Sequence, residues 1–155
     1  MPIVSLSELP DAVPRGGRLM GLDLGSKTIG LALSNAGHSI ASPLVTLARR
    51  KFTADALSLK KLIDEHNVGG LVLGLPINMD GTEGPRCQST RQFAVNLLEK
   101  FDIPIAFHDE RLSTAAVERV LIGEADMTRK RRGEVVDKMA AAWILQGALD
   151  IMARG

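Results

Sequence analysis

Apolar and polar positions follow two rhythms along this chain. Arg18 to Leu24 is an apolar run that reads as a strand, and a second strand runs from Thr28 to Ser34. In the second, Ile29, Leu31 and Leu33 alternate with Thr28, Gly30, Ala32 and Ser34. That period gives a strand one apolar face and leaves room on the other. The intervening Gly25-Ser26-Lys27 is a short turn of the kind that joins antiparallel neighbours. Residues 39–47 predict a third strand, where Pro43 points to a sheet edge or a bulge. The rhythm then becomes helical: Leu59, Leu62, Ile63 and His66 share one face of a helix over 54–66.

Leu71-Val72-Leu73 between Gly70 and Gly74 is a short continuous apolar run after a helix. It predicts a parallel strand buried on both faces. A Gly-rich loop, Leu75 to Gly84, leads into a helix over 86–101, with Thr90, Ala94, Leu97 and Phe101 on one side. Residues 103–109 give a fifth strand. Ser113 or Thr114 can cap a helix that stops at Gly123. Residues 124–133 are polar, and a last helix is expected over about 134–152. The order β-β-β-α-β-α-β-α-α predicts an α/β fold: a mixed five-stranded sheet, three antiparallel strands then two parallel, with helices on both faces. Residues 1–17 carry Pro2, Pro10, Pro14, Gly16 and Gly17 and are expected to form a loosely packed arm. Residues 18–152 form one domain.

Composition narrows the function. With 155 residues, 45% of them hydrophobic and 24% charged, the chain suits one soluble domain with a real core. A net charge of +1 means that any affinity for nucleic acid must come from local patches. The single cysteine, Cys87, excludes an internal disulfide framework and suits a reducing cytosol. Neither a membrane span nor a signal peptide is expected, so the predicted location is cytoplasmic.

Three acids stand out against this apolar background. Asp23 lies in Leu22-Asp23-Leu24, on the strand face of Gly21 and Gly25. Glu110 closes the run from Ile103, and Asp137 shares a helix face with Ala140, Ala141 and Ile144. Buried carboxylates require partners or a metal. Crowded together, they resist ionising without a cation. Oxygen ligands of this kind suit a hard divalent ion, Mg²⁺ or Mn²⁺. Ligands of open α/β sheets bind beyond the carboxyl ends of the strands, where Asp23 and Glu110 are placed.

Gly21-Leu22-Asp23-Leu24-Gly25, Gly74-Leu75-Pro76-Ile77-Asn78-Met79-Asp80-Gly81-Thr82, His108-Asp109-Glu110-Arg111-Leu112-Ser113-Thr114 and Val136-Asp137-Lys138-Met139-Ala140-Ala141 resemble, in order, the signatures of the YqgF family. The resemblance spans residues 18–150. It implies an RNase H-like fold, with Asp23, Glu110 and Asp137 as catalytic metal-binding acids. It also implies a role in maturing the 5′ end of 16S rRNA, within the precursor of the small ribosomal subunit. Older usage calls members Holliday junction resolvases, so branched DNA stays open as a substrate. RNase H-like nucleases often place a fourth acid one helical turn after the third. Here that residue is Ala140, so the resemblance implies either a weakly held second metal or help from Asp109.

The nuclease reading expects two cations that clamp the scissile phosphate, activate water and stabilise the leaving oxygen. Lys27, Asn78, Arg111 and the cluster Arg129, Lys130, Arg131 and Arg132 are the expected contacts to nucleic acid. His38, His66 and His108 are expected as ordinary surface or packing residues, and Cys87 as a small core residue. Two other classes compete. An actin-like nucleotide-binding ATPase or sugar kinase also begins Asp-x-Gly after a strand, but needs two such domains. A non-catalytic RNA-binding assembly factor sits poorly with 3% aromatic residues and an intact acid trio. Junction resolution would require a symmetric dimer, and the sequence leaves monomer and homodimer both open.

Overall fold

A computed structural model of the chain describes residues 3–78, 80–110 and 129–154, with 129–137 and 154 described as backbone only. Five strands form one sheet: β1 (Arg18–Leu24), β2 (Thr28–Ser34), β3 (Ala41–Ala48), β4 (Val68–Leu75) and β5 (Ile105–Asp109). Their spatial order is β3-β2-β1-β4-β5. The β1–β2 and β2–β3 pairs are antiparallel, and β1–β4 and β4–β5 are parallel. β3 is the edge expected from Pro43, and the β2–β3 register shifts between Leu31 and Ala32, the latter facing Pro43.

Two apolar layers sandwich the sheet. On one side Met20, Leu22, Leu31, Leu71, Leu73 and Ile105 pack with Leu59 and Ile63 of α2 (Phe52–Glu65) and with Phe93 and Leu97 of α3 (Pro85–Lys100). On the other, Leu19, Ala32, Val72 and Ala106 meet Ala141, Ile144, Leu145 and Ala148 of the long helix α4 (Arg129–Arg154). α4 contacts all five strands. β1 and β4, central and covered on both faces, are buried almost throughout, which is why they read as continuous apolar runs. α2 has no side-chain N-cap at Lys51; instead Asp55, buried in the first turn, accepts the Arg50 amide proton at 3.0 Å.

Two expectations need correction. Residues 3–17 are anchored at two points although many of them are exposed: Leu9, in the one-turn helix α1 (Leu9–Ala12), and Val13 are buried, and Ile3 bridges to Ile105 at the β5 edge. Leu9 and Val13 are apolar side chains that fill the α4 layer, and this outweighs the local loosening by proline and glycine. The last helix already includes Arg129, five residues before the expected start near 134. Arginine and lysine are good helix formers, so a basic run can extend a helix as readily as form a loop. The helix expected to end at Gly123 lies outside the described residues.

Candidate active site

Strand alternation sorts the chemistry onto one side of the sheet. Leu19, Gly21 and Asp23 of β1 face α4, whereas Met20, Leu22 and Leu24 face α2 and α3. A methyl on Gly21 would lie 2.9 Å from the Ala141 carbonyl oxygen and 2.8 Å from Leu145 Cβ. Glycine therefore lets α4 lie directly against β1. Asp23, two residues on, is only 5% exposed.

Glu110 follows the last residue of β5 and is half-buried. A methyl on Gly74 would lie 2.9 Å from Glu110 Oε1 and 2.7 Å from Ile144 Cδ1. The Glu110 carboxylate thus lies over the backbone of β4, the strand between β1 and β5, on the α4 side. The absent Cβ of Gly74 makes that space. Asp137 belongs to α4, one turn before the buried Ala140 and Ala141; its side chain lies outside the described residues. Among the described residues no three His, Cys, Asp or Glu side chains cluster as a metal site. Asp23 and Glu110 do fit a hard cation by donor type, and both have polar or electrostatic partners in the protein. Asp109 is different: alternation sets it with Phe107, away from the α4 side.

His108 pairs with Gly74 across β4–β5 and is 1% exposed. Neither ring nitrogen has a hydrogen-bond partner. Burial holds its imidazole below the ordinary value, against the opposing pull of Asp109, so the ring is a neutral packing group. His38 bonds through Nε2 to the Gly17 carbonyl oxygen at 2.8 Å, and His66 caps α2. Cys87 is fully buried, and burial pushes its thiol up.

The expected substrate contacts divide. Lys27 is exposed in the β1–β2 turn. Asn78 is exposed in the loop after β4, where its amide donates to the Thr82 carbonyl oxygen at 2.9 Å and its side chain to Thr82 Oγ1 at 3.0 Å. Arg111 lies outside the described residues. Arg129, Lys130, Arg131 and Arg132 open α4, and their side chains lie outside the described residues. Two further cations, Arg49 and Arg86, line a cleft with Lys27. The run Arg49-Arg50-Lys51 between a strand and a helix was the available sequence signal for the first of them.

A sequence model described as "RuvX: Holliday junction resolvase" matches residues 17–151. The chain belongs to the RuvX family. Members similar to it include a protein of Paramagnetospirillum magneticum, 63% identical over 150 residues, covering 97% of this chain and 96% of that one. Another, from Phenylobacterium zucineum, is 61% identical over 151 residues, with 97% of each chain covered. Both are named "Putative pre-16S rRNA nuclease". Among solved structures, T. thermophilus RuvC in complex with a Holliday junction substrate aligns with a TM-score of 0.54 at 11% identity, covering 88% of this chain and 96% of that one. That likeness establishes the fold as RNase H-like, as the family motifs implied. Among the described residues no helix is long and apolar enough to cross a membrane.

Proposed function

We propose that this RuvX-family protein is a divalent-cation-dependent nuclease that processes the 5′ end of the 16S rRNA precursor. One observation carries the reading. Asp23 on β1 and Glu110 just beyond β5, with β4 between those strands, lie on the same side and at the same carboxyl edge of the sheet, and Gly74 leaves space for the second carboxylate. The names carried by relatives above 60% identity support the substrate.

Asp23, Glu110 and Asp137 would hold Mg²⁺ or Mn²⁺. A bound cation of this type supplies Lewis-acid polarisation of the scissile phosphate. The chain's own residues do the rest. The buried β1 fixes Asp23 in place. α4 is seated on Gly21 and carries Asp137 one turn before Ala141; the reading takes Asp137 as the third acid. Burial of the surrounding strands keeps the local dielectric low, which strengthens every charge interaction there. Asn78 and the basic start of α4 are the proposed contacts to the flanking strand.

The test is cleavage of a 16S precursor and of a four-way DNA junction, each in Mn²⁺ and in EDTA. The account expects Mn²⁺-dependent trimming of the RNA and no paired cuts in the junction. Full activity in EDTA would remove the metal mechanism. Symmetric junction cleavage with intact precursor would establish the second reading, which the family description favours.

A further inference from the structure

We propose that a cleft on the opposite side of the sheet from the acids binds the phosphate backbone of the substrate strand beyond the cleavage site. This rests on the nuclease reading above. The cleft has a volume of about 690 Å³ and lies between the β1–β2 turn, the end of β3 and the start of α3. Lys27, Arg49 and Arg86 line it together with Ser26, Ser89 and Thr90, and its lining contains no Asp or Glu. Lys60 pairs with Asp64 and Arg91 with Glu83, and neither pair draws on the cations of the cleft. Three like charges around one open space repel one another, and an anion relieves that repulsion.

Arg49 is held in position before any ligand arrives. Its amide donates to the Lys27 carbonyl oxygen at 2.8 Å, and Nη1 donates to the Gly25 carbonyl oxygen at 2.6 Å. Its guanidinium lies 5.5 Å from the centre of the Phe93 ring. A guanidinium has five N–H donors in a planar fork matched to phosphate, so one bond to Gly25 leaves most of them for a ligand. Lys27 and Arg86 are exposed. α3 starts at this cleft with Gly84 as N-cap and no side-chain cap, so its dipole adds positive potential.

The position selects a continuous strand as the ligand. Leu24 lines the cleft, and Asp23, the residue before it on β1, faces the other side. A nucleic acid with its scissile phosphate at Asp23 has only to cross the carboxyl edge of β1 to enter the cleft. The nearby ring, Phe93, is buried beneath Arg49 and offers no stacking platform. Binding there is to phosphate and carries no base information.

The experiment measures binding of two unrelated single-stranded RNAs in EDTA, at three salt concentrations, for wild type and for Lys27→Gln/Arg86→Gln. Both positions are exposed, so the fold should persist, and circular dichroism and melting check it. Arg49→Lys is a third variant that keeps charge and removes the planar fork. The double variant should weaken both RNAs equally, about tenfold at low salt, with the log–log salt slope shallower by about 0.7 for each phosphate no longer neutralised. In Mn²⁺ it should raise KM and leave kcat unchanged. Unaltered affinity and slope would overturn the proposal. So would tight binding of a free nucleoside triphosphate that the double variant loses while RNA affinity stays intact. Binding in EDTA is independent of cleavage. A wild type that cuts nothing yet depends on the cleft for RNA overturns the nuclease reading alone.

Discussion

The two sides of the sheet differ most at the carboxyl end of β1. Toward α2 and α3, the strands present large aliphatic side chains, Leu22, Leu24 and Leu73, and helices rest on them at ordinary side-chain distance. Toward α4, the same strands present Gly21, Asp23 and Gly74, and the helix comes close enough that a single methyl would meet it. The α3 side at this edge carries cations, and the α4 side carries carboxylates. A core face needs volume, whereas a face that carries chemistry needs absent volume. Two glycines on neighbouring strands create that absence, and the acids occupy its margin.

If the α4 side is the reactive one, its acids should dominate. Asp23→Asn, Glu110→Gln and Asp137→Asn should each lower cleavage more than about a hundredfold, since a cation contributes several kcal/mol to charge stabilisation in the transition state. If the three acids crowd one site, melting temperature should stay level or rise, because each change then removes a like charge from it. Cleavage rates at fixed Mn²⁺, beside thermal melts, check both.

The glycines separate chemistry from packing. In Gly74→Ala the new methyl meets the ends of two flexible side chains, Ile144 and Glu110. Those can move at small cost, but Glu110 then sits elsewhere. Cleavage should fall by up to about a hundredfold, the scale of a 1 Å misplacement, with little change in melting. In Gly21→Ala the methyl meets a backbone carbonyl of α4, so the helix itself must shift. The cost should be about 1–3 kcal/mol, visible in denaturant unfolding. Equal stability losses in the two variants would contradict the distinction.

His108 gives the smallest effect. Its folded pKa lies below the ordinary 6.5 because the ring is buried. The unfolded chain therefore takes up the proton first as pH falls. The resulting stability is complete above about pH 6.5 and is lost as pH falls through the folded value. In EDTA, the stability of wild type relative to His108→Leu should fall between pH 7 and pH 5.5. A constant difference across that window would rule out the burial of a neutral ring.

Much of this was legible in the residues. The continuous apolar run of β4 marks it as a strand buried on both faces, and Pro43 points to an edge or a bulge at β3, where the structure has both an edge strand and a register shift. The acids were visible because a carboxylate amid Leu22 and Leu24 breaks a pattern that burial otherwise enforces. The start of α4 was not legible, since Arg129–Arg132 suits a helix and a solvated loop equally. Leu9 and Val13 were hidden by the prolines around them, because local propensity says nothing of the surface that a segment will cover. Arg49 and Arg86 are far apart in sequence, and only the β3–α2 and β4–α3 connections bring them to one cleft. The sequence marks Gly74 only as the end of a buried strand, and its role as the seat of Glu110 depends on the β4–β5 register.

The central claim is that the acids on the α4 side form one cation site. Calorimetric titration of the metal-free protein with Mn²⁺ tests it most directly, in wild type, Asp23→Asn, Glu110→Gln and the double variant. The account predicts that either single change abolishes or severely weakens the same binding event, and that the double variant loses no more than the singles. Undiminished Mn²⁺ binding in both single variants, or two separate binding events each missing from a different variant, would contradict it.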